Sequence, residues 1–358
     1  MNRWPRLVVG LAFAASVGVW PAHSTARASA GLPDRIADQE FWSLTETLSE
    51  PNGTFRSDNL LSNEIQLQSI IPDLLARASP GGVYLGVGPE QNFTYISALK
   101  PKIAFIIDVR RGNLQLQLMY KALFELSADR ADFVSRLFTK KRPDGLGAES
   151  TAADLMNAYW DIPTSADAVY QQNLQAILGE LTKKHQFPLS PGDLEGIEYV
   201  YHSFYWFGPA ITYNSSATGQ TGGRTTYADL MMLTDRTGES RGYLATEANF
   251  ARMRDLESRN LVVPVVGNFA GPKAIRAVGG YLRDHGATVT AFYLSNVEQY
   301  LAMDGIWPIF CANVAVLPLD ENSTFIRSAR GQVLGNMLTE THGCSVAGRR
   351  PSAQGAVR

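Results

Sequence analysis

The chain is short of the features that would assign it quickly. Only Cys311 and Cys344 occur in 358 residues, so there is no CxxC redox pair and no cysteine-ligated metal centre. Five histidines (His23, His185, His202, His285 and His342) are scattered without metal-ligand spacing. Charged residues make up 18% and the formal net charge is −2. That removes the broad positive field on which nucleic-acid binding draws. Beyond the first thirty residues no run of eighteen apolar residues recurs, so no stable membrane span is expected there. A nucleophile elbow is missing too. Gly238-Glu239-Ser240-Arg241-Gly242 has G-x-S-x-G spacing, but polar Thr234-Asp235-Arg236-Thr237 precedes it where a buried strand is required.

What is present begins with a leader. Residues 1–6 are basic, Leu7 to Trp20 are apolar, and Ala28-Ser29-Ala30 offers small residues for cleavage. This order predicts a secretory signal over 1–30 and export to the periplasm or beyond. In an oxidising compartment Cys311 and Cys344 either form one disulfide or remain two thiols. With 45% hydrophobic residues and a mean hydropathy of −0.10, the remainder reads as a soluble globular chain.

The stretch from Gly81 to Asn113 organises the rest. Residues 31–80 supply a polar leading segment and then a helix from Leu60 to Ala78, for which Ser62 is a plausible N-cap. Val83-Tyr84-Leu85 is a short β-prone run ending in Gly86-Val87-Gly88, and Pro89 suits the first position of a helix. Ile103 to Ile107 is continuously apolar, as in a strand buried on both faces, and Asp108 ends it. Asn113 is positioned to cap a helix from Leu114 to Leu126, which completes a first half-sheet over 81–126. Residues 127–260 are mostly helical in spacing, interrupted by loop-like stretches at Lys140 to Ser150 and Asn214 to Arg224. The α/β alternation resumes over 261–330. Strands are expected at Leu261–Phe269, Ala287–Leu294 and Ser323–Ser328, and 331–358 reads as a flexible tail. The expected fold is α/β: a Rossmann-like, mostly parallel sheet in two halves separated by a large helical insertion.

Candidate site residues follow from this layout. Gly86 and Gly88 form either a ligand-cradling turn or a plain tight turn. Asp108, about twenty residues after the turn, stands where nucleotide-binding α/β folds place a ribose-binding carboxylate. Glu90, Gln91 and Asn92 either cap the helix or contact the ligand. Arg110, Arg111 and Asn113 fall at the sheet's carboxyl edge, as ligand contacts or as surface ion pairs. The two arginines would suit a 2′-phosphate, which leaves NADP open, although Gln91 stands where G-x-G-x-x-G needs a small residue. Ser62, Asn63 and Glu64 either approach the same edge or cap their helix. Tyr201, with His202 among the aromatics of 199–206, lines a pocket or belongs to the core, and Asn296 either lines the crevice or starts a helix.

With those residues in view, the order of elements resembles a class I S-adenosylmethionine-dependent methyltransferase. The resemblance rests on GVGPEQNFTYI, IIDVRRGN, VVPVVGNFAG and ATVTAFYLSN, about half of the chain. It implies that Gly86, Val87 and Gly88 cradle the methionyl part of S-adenosylmethionine and that Asp108 holds its ribose. It also implies a polar residue after the fourth strand, mapped to Asn268, facing a methyl acceptor. GVGPEQN and DVRRGN are also similar to a bacterial exported family of hypothetical proteins sharing this fold. This chain departs from the class in lacking an acidic residue just before Gly86 and a third glycine in the turn. Two functions are therefore carried forward: binding of a small nucleoside-type ligand with methyl transfer, or an exported scaffold that has lost cofactor binding.

Overall fold

The computed structural model describes residues 1, 31–213, 215, 225–328 and 331–346. The expected export signal and most of the expected loop at 214–224 lie outside the described residues.

In chain order, α1 (Asp38–Leu48) and α2 (Ile71–Arg77) precede β1 (Val83–Gly86), α3 (Gln91–Leu99), β2 (Ile103–Asp108) and α4 (Arg111–Leu126). A helical segment follows: α5 (Arg130–Phe138), α6 (Ala152–Trp160), α7 (Asp167–Gly179) running into a π turn at Glu180–Lys184, α8 (Pro191–Phe207), α9 (Tyr227–Met231) and α10 (Glu247–Ser258). Then come β3 (Val262–Val266), α11 (Ala274–Asp284), β4 (Val289–Ser295), α12 (Val297–Met303), α13 (Trp307–Val314), β5 (Thr324–Ser328), β6 (Gln332–Asn336) and α14 (Met337–Val346).

The strands form one six-stranded sheet in the order β3-β2-β1-β4-β5-β6. All neighbours are parallel except β5 and β6. This is α/β architecture compatible with a Rossmann-like fold, and the chain reverses direction across the sheet between β1 and β4. Every residue of β1, β2 and β3 is buried, which explains their unbroken apolar runs. Pro264, which cannot donate to a ladder, sits in β3, an edge strand. With the right-handed crossovers usual between parallel strands, α3, α4 and the helical segment are expected on one face and α11 to α13 on the other. Consistent with this, α10 packs on α3 and α4, while α11 packs on α1 and α13. Phe93, Phe124, Phe133, Tyr243 and Phe250 weld the first face together through ring contacts. Arg130, almost fully buried, spends its N–H groups on Glu247 and on the carbonyls of Ala148, Ser150, Leu244 and Ala245.

Several sequence expectations are corrected. The polar leading segment contains α1, an amphipathic helix burying Phe41, Trp42 and Leu48. The helix expected from Leu60 forms only at Ile71–Arg77. Residues 60–64 are irregular because their polar groups bond elsewhere: the Ser62 N–H donates to Glu90 rather than starting a helix. α4 begins at Arg111, so Asn113 lies inside its first turn. The tail begins with structure. Residues 332–336 add an antiparallel strand, pairing Gln332 with Ser328 and Asn336 with Thr324, and α14 follows. The exposed residue of this edge strand is apolar Val333 and the buried one is Gly335, so it lacks the apolar-in, polar-out alternation that would reveal it. Cys311 is disulfide-bonded, and the sequence holds one other cysteine, Cys344.

Candidate ligand-binding cleft

A cleft of about 1060 Å³ opens at the carboxyl ends of β1, β2, β3 and β4, where open α/β sheets bind ligands. Its floor is the turn after β1. Gly88 has φ +78°, a left-handed conformation that glycine adopts without strain. Gly86 needs its bareness for a different reason: a Cβ there would fall 1.9 Å from Asn92 Oδ1. Asn92 is the staple of this turn. Its Nδ2 donates to the carbonyls of Val87 (3.0 Å), Gly88 (3.2 Å) and Pro89 (2.7 Å), and its Oδ1 accepts from the Tyr84 hydroxyl (2.8 Å). Gln91 and Gln117 donate their amides to the Val87 and Gly88 carbonyls. The turn's carbonyls are thereby held by side-chain amides, and α3 starts without a side-chain cap. Gln91 Oε1 is buried on the cleft wall without a partner.

Asp108 lies at the end of β2 on the same wall. Its Oδ1 accepts from the backbone N–H and Nε of Arg110 (2.9 and 3.0 Å), and its Oδ2 from Nη2 (3.1 Å). Arg110 Nη1 donates onward to the Ser57 and Asp58 carbonyls. Gly53 N–H to Val109 O (2.8 Å) adds another tie, and Arg111 N–H donates to Asn52 Oδ1 (2.7 Å). The loop at 52–59 is thus fastened over the end of β2 and forms a cleft wall.

The opposite wall comes from residues 61–64 and the end of β4. Glu90, fully buried, accepts the Ser62 N–H at 3.1 and 3.3 Å; burial pushes its carboxyl up to about 7 despite those bonds. Ser62 Oγ accepts the Glu64 N–H (3.1 Å), and Glu64 accepts from Ser295 Oγ and Gln332 Nε2. The β4–β5 register shifts between Tyr293 and Ser295, and Ser295 has φ +50°. At the mouth, Arg56 Nη2 donates to Tyr300 OH (2.6 Å), and Phe55 meets the Tyr300 ring edge-on at 5.3 Å.

Of the residues singled out from sequence, Val87, Gly88, Gln91, Asp108, Arg110, Asn268 and Asn296 line this cleft. Gly86, Glu90 and Asn92 stand behind it and shape the floor and wall. Arg111 is elsewhere, forked onto Asp193 (2.6 and 3.0 Å), so its charge ties α4 to α8. Asn113 is buried in α4 off the cleft wall, with both amide atoms unpartnered. Tyr201 belongs to the core of the helical segment, donating to Arg136 O and stacking on Tyr170. Asn268 follows β3, not a fourth strand. Its backbone N–H donates to Glu50, whose carboxylate also takes the Lys273 and Ala274 N–H groups at the start of α11. Asn296 is the residue after β4. Ser62, Asn63 and Glu64 reach the sheet edge as cleft wall. Tyr293, Ser295 and Tyr300 also line the cleft, and no local pattern marks them as site residues. Tyr293 sits inside an apolar strand, and a bulge turns Ser295 inward.

Away from the cleft, Glu125, Glu180 and His185 bring ligand-type atoms within 4.8 Å of one another. Lys184 bonds to both carboxylates and Lys121 to Glu125, so their charge is met inside the protein. Burial pushes the Glu125 carboxyl up, but His185, Lys121 and Lys184 outweigh it and hold it well below the usual range.

A family model described as a domain of unknown function (DUF7790) matches residues 60–186 and 219–345. The chain belongs to this family. None of the curated proteins compared with it matches. The family's matched residues include β1 to β6 and the glycine turn, whereas the 52–59 wall precedes them.

Proposed function

We propose that the protein binds an adenosyl-type small molecule, S-adenosylmethionine or a relative, in the cleft at the carboxyl edge of the sheet. The observation that carries this reading is the meeting of the glycine turn and Asp108 on one cleft, at the point where the strand order reverses. The residues fit such a ligand in part. Gly88 allows close backbone approach, and the unpartnered Gln91 Oε1 is an acceptor for an amino or hydroxyl group. Asp108 has about four acceptor positions as a carboxylate, and Arg110 takes three, which leaves one on Oδ2 for a ribose hydroxyl. Asn268 and Asn296 supply further polar wall.

S-adenosylmethionine, when bound, supplies an electrophilic methyl group. The chain's part would be alignment: the 52–59 loop and the 61–64 wall confine the ligand and keep water out, with no covalent protein intermediate.

A second reading, a binding scaffold without this cofactor, is favoured by the Asp108–Arg110 pair, because the carboxylate is already largely used. Calorimetric titration of the full chain with S-adenosylmethionine, S-adenosylhomocysteine and NADP separates the two. Micromolar binding of either adenosyl compound, weakened in a folded Asp108→Asn variant, supports the first. Absence of heat with all three overturns it in favour of the scaffold, and binding of NADP alone changes the cofactor class.

A further inference from the structure

The cleft has a second polar centre besides the glycine turn and Asp108. Charged side chains on its wall are Arg56, Glu64, Asp108, Arg110 and Asp304. Asp108 and Arg110 neutralise each other. Arg56 is exposed at the mouth, occupied with Tyr300, and Asp304 is exposed as well. Glu64 differs: it is 8% exposed, and the hydrogen bonds its carboxylate accepts come from neutral groups, Ser295 Oγ and Gln332 Nε2. No described Lys, Arg or His pairs with it. A buried carboxylate without a countercharge is costly unless something brings one.

Two further observations single out this corner. Tyr293 lines the cleft and is fully buried, and its hydroxyl lies beside Glu64 without an aligned hydrogen-bond partner. Burial, with the Glu64 charge next, raises that phenol far above its ordinary value. Next to it the β4 backbone breaks register and Ser295 takes a left-handed φ of +50°. A non-glycine residue in that region is strained, and bulges beside sites re-aim side chains. Here the strained turn is what accompanies the Ser295 hydroxyl's contact with Glu64. The aromatic wall suits a cation too. The Arg56 guanidinium carbon already lies 5.3 Å from the Tyr300 ring centroid, within the range of cation–π attraction.

We propose that Glu64, Tyr293 and Ser295 form a cation-recognising subsite, so that the ligand, or a second molecule bound beside it, carries an ammonium-type group. Glu64 supplies the countercharge, Tyr293 a ring face and a hydroxyl, and Ser295 fixes the carboxylate. This rests on the cleft being the ligand site, but not on an adenosyl group occupying it.

The test is calorimetry of the full chain with choline and n-butylammonium beside 3,3-dimethylbutan-1-ol, the uncharged isostere of choline. At least one cation is expected to bind about tenfold more tightly than the alcohol, and Glu64→Gln to lose about tenfold of that affinity. Absence of binding by both cations, equal binding of the alcohol, or an unaffected Glu64→Gln would overturn the proposal. Should Glu64→Gln fail to fold, the cation-to-alcohol ratio of the unaltered chain and a severalfold loss in Tyr293→Phe decide instead. A chain that takes a cation but no adenosyl compound retains this subsite and loses the adenosyl reading. The reverse result removes this subsite alone.

Discussion

Arg110 grips Asp108 with its backbone N–H, its Nε and its Nη2 at once, at 2.9, 3.0 and 3.1 Å. The two residues are neighbours but one at the end of β2, and both are almost fully buried. The carboxylate that the sequence offers to a ribose is therefore also the anchor of a guanidinium whose other end holds the 52–59 loop.

Removing that guanidinium has two expected effects. Arg110→Ala strands a buried carboxylate, a change that costs about 3–5 kcal/mol in comparable pairs. It also releases the Ser57 and Asp58 carbonyls. Urea denaturation should show the loss, and hydrogen exchange should show faster opening at 52–59 than elsewhere. Unchanged protection of that loop would mean that Arg110 is not what fastens it.

The glycine turn should prove sensitive at Gly86 and Asn92 for one shared reason. Gly86→Ala drives a methyl group into Asn92 Oδ1, and Asn92→Ala abandons the Val87, Gly88 and Pro89 carbonyls together with the Tyr84 hydroxyl. With about 1 kcal/mol for each hydrogen bond and more for buried groups left unpaired, Asn92→Ala is expected to cost about 3 kcal/mol in equilibrium unfolding. The double variant should cost less than the sum of the singles, since both act on one contact. Strict additivity would disprove the coupling.

Glu90 predicts a pH dependence of definite sign. Its carboxyl rises from 4.5 to about 7 in the folded chain, with burial as the main cause. The folded state then holds a proton that the unfolded chain releases, so this stabilisation is complete below pH 4.5 and is lost as pH rises through about 7. Over that window wild type should lose on the order of 3 kcal/mol that Glu90→Gln retains. Unfolding of both proteins from pH 4.5 to pH 8 measures the difference, in which other groups such as Glu257, raised by burial to about 8, cancel. Parallel stability curves would show that folding does not raise the Glu90 carboxyl.

Much of the sheet could be read in advance because its signals are local. Val83-Tyr84-Leu85, the run from Ile103 to Ile107 and Gly86-Val87-Gly88 declare themselves within a few residues, and parallel strands buried on both faces leave unbroken apolar runs. The cleft was half legible. Val87, Gly88, Gln91 and Asp108 follow from the strand–turn–helix pattern, and Asn268 and Asn296 from strand ends. The remaining wall depends on long-range contacts that no local pattern reports. Glu64 meets Ser295 and Gln332, and Ser62 meets Glu90 across a helix, a strand and a turn. Leu60 to Ala78 has helical spacing throughout, yet the capture of the Ser62 N–H by Glu90 favours an irregular path over its first part. Arg111 and Tyr201 were open to either reading by residue type. Each found partners in the helical segment, Asp193 for one and Arg136 and Tyr170 for the other.

Because one side of the cleft is built from 52–59, a fragment cut at residue 60, where the match to the family begins, would have a different cleft. It would carry every strand but lack Phe55, the carbonyls that accept from Arg110 Nη1 and the carboxylate of Glu50 that caps α11. On that side the cleft of such a fragment would be an open shelf, so the family core alone does not reproduce the shape of the cleft.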